Sequence, residues 1–192
     1  KLELIHHLAA TGITSIEVTS FVRADRVPQM ADAEEVAARV LPKAGVRYRA
    51  LTLNEKGFLR ACSFPNLQPE GMLMIAASES FLKKNNNLTI AAALDAIPNW
   101  LTLFREHNVE LERLMVSTAF GDPDEGKIDA QRVIDICSQV IARIVNEGVS
   151  LPEITFADPT GWGNPESVKR LVAASQTAWP EIAVGLHLHD TR

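Results

Sequence analysis

One grammar repeats along this 192-residue chain: a short apolar segment, a polar loop, then a run with the period of an amphipathic helix. Segments 15–19, 47–53, 71–76, 113–117, 153–157 and 182–188 predict strands. Segments 31–41, 54–62, 89–107, 129–146 and 165–179 predict helices, with Asn164 as N-cap and Pro165 in the first turn of the last. An opening helix over 1–10 leads through Thr11-Gly12, a plausible C-cap. Strands separated by helices specify successive βαβ units and a parallel sheet. The near-continuous run Met72-Leu73-Met74-Ile75-Ala76 fits a strand covered on both faces.

Periodicity fits an open doubly wound sheet as well as a barrel. No Gly-x-Gly-x-x-Gly follows a strand, which argues against a dinucleotide site. Polar residues gather after the C-terminal end of every predicted strand: Glu17 with Thr19-Ser20, Asn54, Ser78-Glu79, Ser117-Thr118, Asp158 with Thr160, and His187 with His189. An open sheet would concentrate them at one switch point. A (β/α)8 TIM barrel builds its site from all its strand ends, so the expectation is a barrel lacking about its first and last strands.

Composition narrows the partners. A net charge of −5 argues against nucleic acid or an anionic membrane. No apolar run reaches the length of a membrane span and no signal peptide opens the chain, which begins at Lys1 rather than Met. Cys62 and Cys137 lack metal-type spacing and read as ordinary thiols in a reducing cytoplasm.

The residues with the most chemistry are His187 and His189. On a strand, i and i+2 share a face and lie roughly 6–7 Å apart along the chain, so two imidazoles can close on one metal ion. A solvated or hydrogen-bonded pair is the plain alternative. Glu17, flanked by Ile16 and Val18, needs a compensating partner for its charge and reads either as a functional carboxylate or as half of a salt bridge. Asp158 reads either as a functional carboxylate or as a cap of the Gly161-Trp162-Gly163 loop. The 78–87 segment reads as a polar loop whose Lys83 and Lys84 either meet substrate phosphates or are simply solvated. In the turn-rich run Phe120–Gly126 the acids complement either a helix N-terminus or a substrate.

The motifs Ile16-Glu17-Val18-Thr19-Ser20-Phe21-Val22, Ala77-Ser78-Glu79-Ser80-Phe81 with Lys83-Lys84-Asn85, Phe120-Gly121 with Glu125-Gly126-Lys127, and His187-Leu188-His189-Asp190-Thr191 occur in this order. Together they resemble the 3-hydroxy-3-methylglutaryl-CoA (HMG-CoA) lyases, members of a superfamily of metal-dependent barrel lyases and Claisen-type synthases. The resemblance covers nearly the whole chain. It implies one truncated pyruvate carboxyltransferase-like barrel domain over 1–192, binding Mg²⁺ or Mn²⁺ rather than Zn²⁺ and cleaving a 3-hydroxyacyl-CoA, as in leucine catabolism and ketone body metabolism. It assigns His187 and His189 as metal ligands and Glu17, Asp158 and His187 as catalytic groups. Substrate contacts are expected from Asn54, Ser78, Lys83, Lys84 and Thr160, cytoplasmic location is expected, and self-association stays open. The family's remaining ligands, its arginine and its reactive cysteine have no counterpart in this chain, so the chain by itself is expected to lack turnover. Pro159, Trp162 and Thr118 depart from the family's usual residues, which leaves the acyl group open.

Three other readings stand beside this one. A synthase condensing an acyl-CoA with a 2-oxo acid shares the superfamily, but the Ser78–Asn85 stretch favours the lyase. A metal-dependent hydrolase also uses His-x-His, though usually on the first strand of its barrel. A non-catalytic chain that associates through open sheet edges is the third.

Overall fold

Apolar residues at alternate strand positions and at helical spacing fold this chain into parallel β/α units in a computed structural model, which describes residues 1–190. Thr191 of the last motif lies outside the described residues. The chain divides into two compact units, Lys1–Glu70 and Gly71–Arg192.

The first unit runs α1 (Leu2–Ala9), β1 (Ser15–Ser20), a 3-10 turn (Pro28–Met30), α2 (Ala33–Arg39), β2 (Arg47–Leu51) and α3 (Glu55–Cys62). β1 and β2 pair in parallel, Ile16 beside Tyr48 and Glu17 beside Arg49, with a bulge between Glu17 and Thr19. Ile16 and Val18 join Ile5, Val36, Ala37 and Val40 in the buried core. Glu17, between them, therefore projects from the opposite side of the strand and is exposed. Arg49 pairs with Glu70 at 2.6 Å.

The second unit runs β3 (Gly71–Ala76), α4 (Glu79–Asn86), α5 (Ile90–Asp95), α6 (Ile97–Glu106), β4 (Leu111–Ser117), β5 (Gly121–Asp122), β6 (Gly126–Lys127), α7 (Ala130–Asn146), β7 (Glu153–Asp158), α8 (Pro165–Ala178) and β8 (Ala183–Leu188). Its parallel sheet has the order β3-β4-β7-β8. The order follows the chain and never reverses, so there is no switch point of the doubly wound kind. Leu114 and Val116 of β4 align with Ile154 and Phe156 of β7, and all four are at most 1% exposed. The helices bury matching apolar stripes, Val133, Val140 and Ile144 on α7 and Leu171 on α8.

Three sequence expectations change. Residues 79–86 are a helix, α4, where a polar loop is expected. The residues have few apolar positions, but Ser78 caps the N-terminus, Glu79 sits in the first turn, Lys83 and Lys84 in the last, and Asn87 closes it at φ +55. The single helix expected over 89–107 breaks at Ala96 into α5 and α6. Pro98 has no N–H for the Leu94 carbonyl, so the helix cannot run on unchanged. Third, the β5–β6 hairpin supplies two short strands that periodicity does not announce.

Candidate active site at the strand ends

β8 carries His187 with its neighbours fixed by register: Ala157 beside His187 and Asp158 beside Leu188. Gly185, two residues earlier on the same face, lies beside Thr155. A Cβ there would come within 2.9 Å of Thr155 Oγ1 and 2.7 Å of Glu153 Oε1, so the close approach of β8 to β7 requires glycine. His187 and His189 are both exposed, and their Nε2 atoms stand 3.1 Å apart, within hydrogen-bond distance of one another. Two imidazole nitrogens on the same side of one strand end are donors that a divalent cation would accept together, the ion then replacing their mutual contact. Among the described residues no group of three or more His, Cys, Asp or Glu forms a metal site.

Asp158 ends β7 with 1% exposure. Its Oδ1 accepts the Trp162 N–H at 2.9 Å and its Oδ2 the Gly163 N–H at 2.7 Å. The carboxylate thus caps the loop it precedes, while the β7–β8 register sets Asp158 beside Leu188. Thr160 in the same loop donates to the Gly121 carbonyl at 2.9 Å. Gly121 lies under the Trp162 side chain, which a Cβ at this position would meet at 2.7 Å.

The remaining predicted contacts have well-defined partners. Ser78 is fully buried and donates to Glu125 Oε1 at 2.9 Å, and the same oxygen accepts the Ser80 N–H at 2.8 Å. Ser80 Oγ donates to buried Asp122 at 2.9 Å, and Arg132 donates to Glu125 Oε2 at 2.9 Å. The acids of the turn-rich run therefore do complement a helix N-terminus, that of α4. Burial alone would push the Glu125 carboxyl up. The Ser80 N–H, the Ser78 hydroxyl and the Arg132 guanidinium outweigh it and hold Glu125 below the usual carboxylate range. Lys84 pairs with Asp124 of the same loop, and Lys83 is exposed. In the first unit Asn54 is the N-cap of α3, accepting the Gly57 N–H at 2.8 Å.

The structure thus sets Asp158 at the end of β7 beside Leu188, with Thr160 in the loop that follows and Ala157 beside His187, and ties Ser78 and Lys84 to the β5–β6 hairpin. Arg132 and Thr118 carry architecture that the sequence does not announce. Thr118 is fully buried at φ +51, a backbone region costing a β-branched residue about 1–3 kcal/mol. Both cysteines behave as plain thiols: burial raises Cys62 and pushes Cys137 up to about 12.

A parallel β/α sheet whose strand order follows the chain, with polar groups at its strand ends, is the architecture of part of a (β/α)8 barrel. The sequence model of the HMGL-like family matches residues 1–192, and the chain belongs to that family. It is 38% identical over 191 residues to the human protein named 3-hydroxy-3-methylglutaryl-CoA lyase, cytoplasmic, covering 100% of this chain and 49% of that one. The crystal structure of HMG-CoA lyase from Brucella melitensis matches with a TM-score of 0.83 at 30% identity, covering 98% of this chain and 64% of that one. An HMG-CoA lyase from Acinetobacter baumannii, in complex with coenzyme A and 3-methylmalate, matches at 0.81 and 30%, covering 100% and 59%. The chain spans about half the length of the curated relatives it matches, and it forms part of a TIM barrel.

Proposed function

We propose that this chain supplies much of the catalytic barrel of a divalent-metal-dependent carbon–carbon lyase acting on a 3-hydroxyacyl-CoA, with HMG-CoA as the reference substrate and acetoacetate plus acetyl-CoA as its products. The observation that carries this reading is the 3.1 Å separation of His187 Nε2 and His189 Nε2 in a chain of the HMGL-like family. These two nitrogens would hold Mg²⁺ or Mn²⁺. When bound, the ion acts as a Lewis acid that lowers the pKa of the substrate's tertiary hydroxyl and orients the bond to be broken.

The chain's residues divide the remaining work. With Nε2 given to the ion, His187 keeps Nδ1 for relaying the proton that leaves the hydroxyl. Asp158 spends one lone pair of each oxygen on its loop and keeps others for orienting the site. Glu17, on the face of β1 away from Ile16 and Val18, is a second carboxylate that shares with Asp158 the orienting of ligands and the movement of protons. As the carbon–carbon bond breaks, its electron pair passes to the departing acetyl thioester, which then takes up a proton. Ser78 and Thr160 shape the substrate side of the strand ends, and Asn54 contributes a polar contact. Lys83 and Lys84 meet the phosphates of coenzyme A, Lys84 by exchanging its pairing with Asp124. Cytoplasmic location follows the relatives of that name, although other relatives are named mitochondrial.

The test is acetoacetate release from HMG-CoA with Mg²⁺ or Mn²⁺, by a protein carrying this chain within a complete barrel. Metal-dependent cleavage of HMG-CoA or a homologue with a longer 3-alkyl branch supports the proposal. No cleavage of either thioester overturns it.

A further inference from the structure

Thr118 combines two features that rarely coincide, a β-branched side chain in the left-handed region and complete burial. Its surroundings account for both. Thr118 Oγ1 accepts the Ser78 N–H at 3.1 Å and donates to the Ser117 carbonyl at 2.7 Å. That carbonyl also accepts the Ala77 N–H at 2.9 Å. The hydroxyl thereby ties the end of β4 to the end of β3. The backbone ties β4 to β7. Val116 stands beside Phe156, so a straight continuation would bring Ala119 beside Pro159. The left-handed residue turns the chain back instead, and the Ala119 N–H reaches the Ala157 carbonyl at 3.0 Å. Ala157 is the register partner of His187.

We infer that Thr118 is a positioning residue: its left-handed backbone and buried hydroxyl fix the ends of β3, β4 and β7 against one another and so set the strand end that His187 stands beside. It touches neither histidine and acts through Ala119 and Ala157. Its consequence for metal binding rests on the proposed function, whereas the rim architecture does not.

The experiment uses the 192-residue chain and its Thr118→Val, Thr118→Ser and Thr118→Gly variants, with amide hydrogen exchange by NMR and Mn²⁺ titration as readouts. In Thr118→Val, protection at Ser78 and Ala119 falls about tenfold or more, while Val116 and Ile154 in mid-sheet keep theirs. Thr118→Ser restores both, which a purely volumetric role would not predict. Should Thr118→Val fail to fold, Thr118→Gly decides: it allows the turn but lacks the hydroxyl, so Ser78 loses protection and Ala119 keeps it. Unchanged protection at Ser78 and Ala119, or a loss spread evenly over the sheet, overturns the inference. Where wild type binds Mn²⁺, Thr118→Val weakens it several-fold and Thr118→Ser does not; unchanged Mn²⁺ affinity in Thr118→Val overturns the link to His187. If the wild-type chain binds no Mn²⁺, the link to His187 is read from the same titration of a complete barrel carrying these variants, and the exchange data still decide the role of Thr118 in the rim.

Discussion

The Asp158 carboxylate accepts the Gly163 N–H at 2.7 Å, and its other oxygen takes the neighbouring Trp162 N–H. One buried side chain therefore ends β7 and shapes the loop beside the histidine strand. Asp158→Asn replaces one acceptor by an NH2 group facing a backbone donor. Bonds to a charged acceptor contribute about 1.5–3 kcal/mol, so urea unfolding followed by Trp fluorescence should show a loss of that order. Unchanged stability would mean that the loop does not depend on this carboxylate.

Glu125 makes stability depend on pH. Its folded pKa lies below its unfolded value near about 4.3, so its stabilisation is complete above that value. It is lost as pH falls through the folded value, because the unfolded state then binds the proton more readily. Glu125→Gln should cost about 1 kcal/mol at neutral pH and flatten the acid-side decline in urea midpoint. An acid limb identical to wild type would show that other carboxylates carry it.

Gly121 lies against Trp162 so closely that no side chain fits. Gly121→Ala should displace the indole, alter its emission and destabilise the chain by about 1–3 kcal/mol. A variant with wild-type emission and stability would contradict that packing.

In the first unit, Tyr48 Oη is buried with no protein hydrogen-bond partner. Tyr48→Phe keeps the ring and removes the unsatisfied hydroxyl, so it should be neutral or stabilising by about 0–1 kcal/mol in urea. A clear loss would reveal a bonded water at that hydroxyl.

The parallel strands were legible because apolar runs bounded by polar loops are a strong signal, and β3 carries almost nothing else. The two-residue strand period likewise placed His187 and His189 on one face before any coordinates. α4 was not legible as a helix, since its evidence lies in end effects: the Ser78 cap, Glu79 and the terminal lysines. Asp158 shows another limit. A carboxylate at a strand end is written the same way whether it serves a loop or a substrate, and only the Trp162 and Gly163 N–H contacts display its structural duty. Thr118 stands out in the sequence as a strand-end polar residue and a departure from the family pattern, but its positioning duty does not, because the strain sits in its backbone angle and the compensation comes from Ser78, forty residues away.

The paired imidazoles of His187 and His189 carry the proposed metal site. Mn²⁺ titration of a complete barrel carrying this chain, and of its His189→Ala variant, followed by electron paramagnetic resonance, addresses them directly. The predicted result is saturable binding by the wild-type barrel that is lost or strongly weakened in the variant, with the fold intact by circular dichroism. Equal Mn²⁺ affinity in the two proteins, or none in either, would contradict the assignment of His187 and His189 as metal ligands.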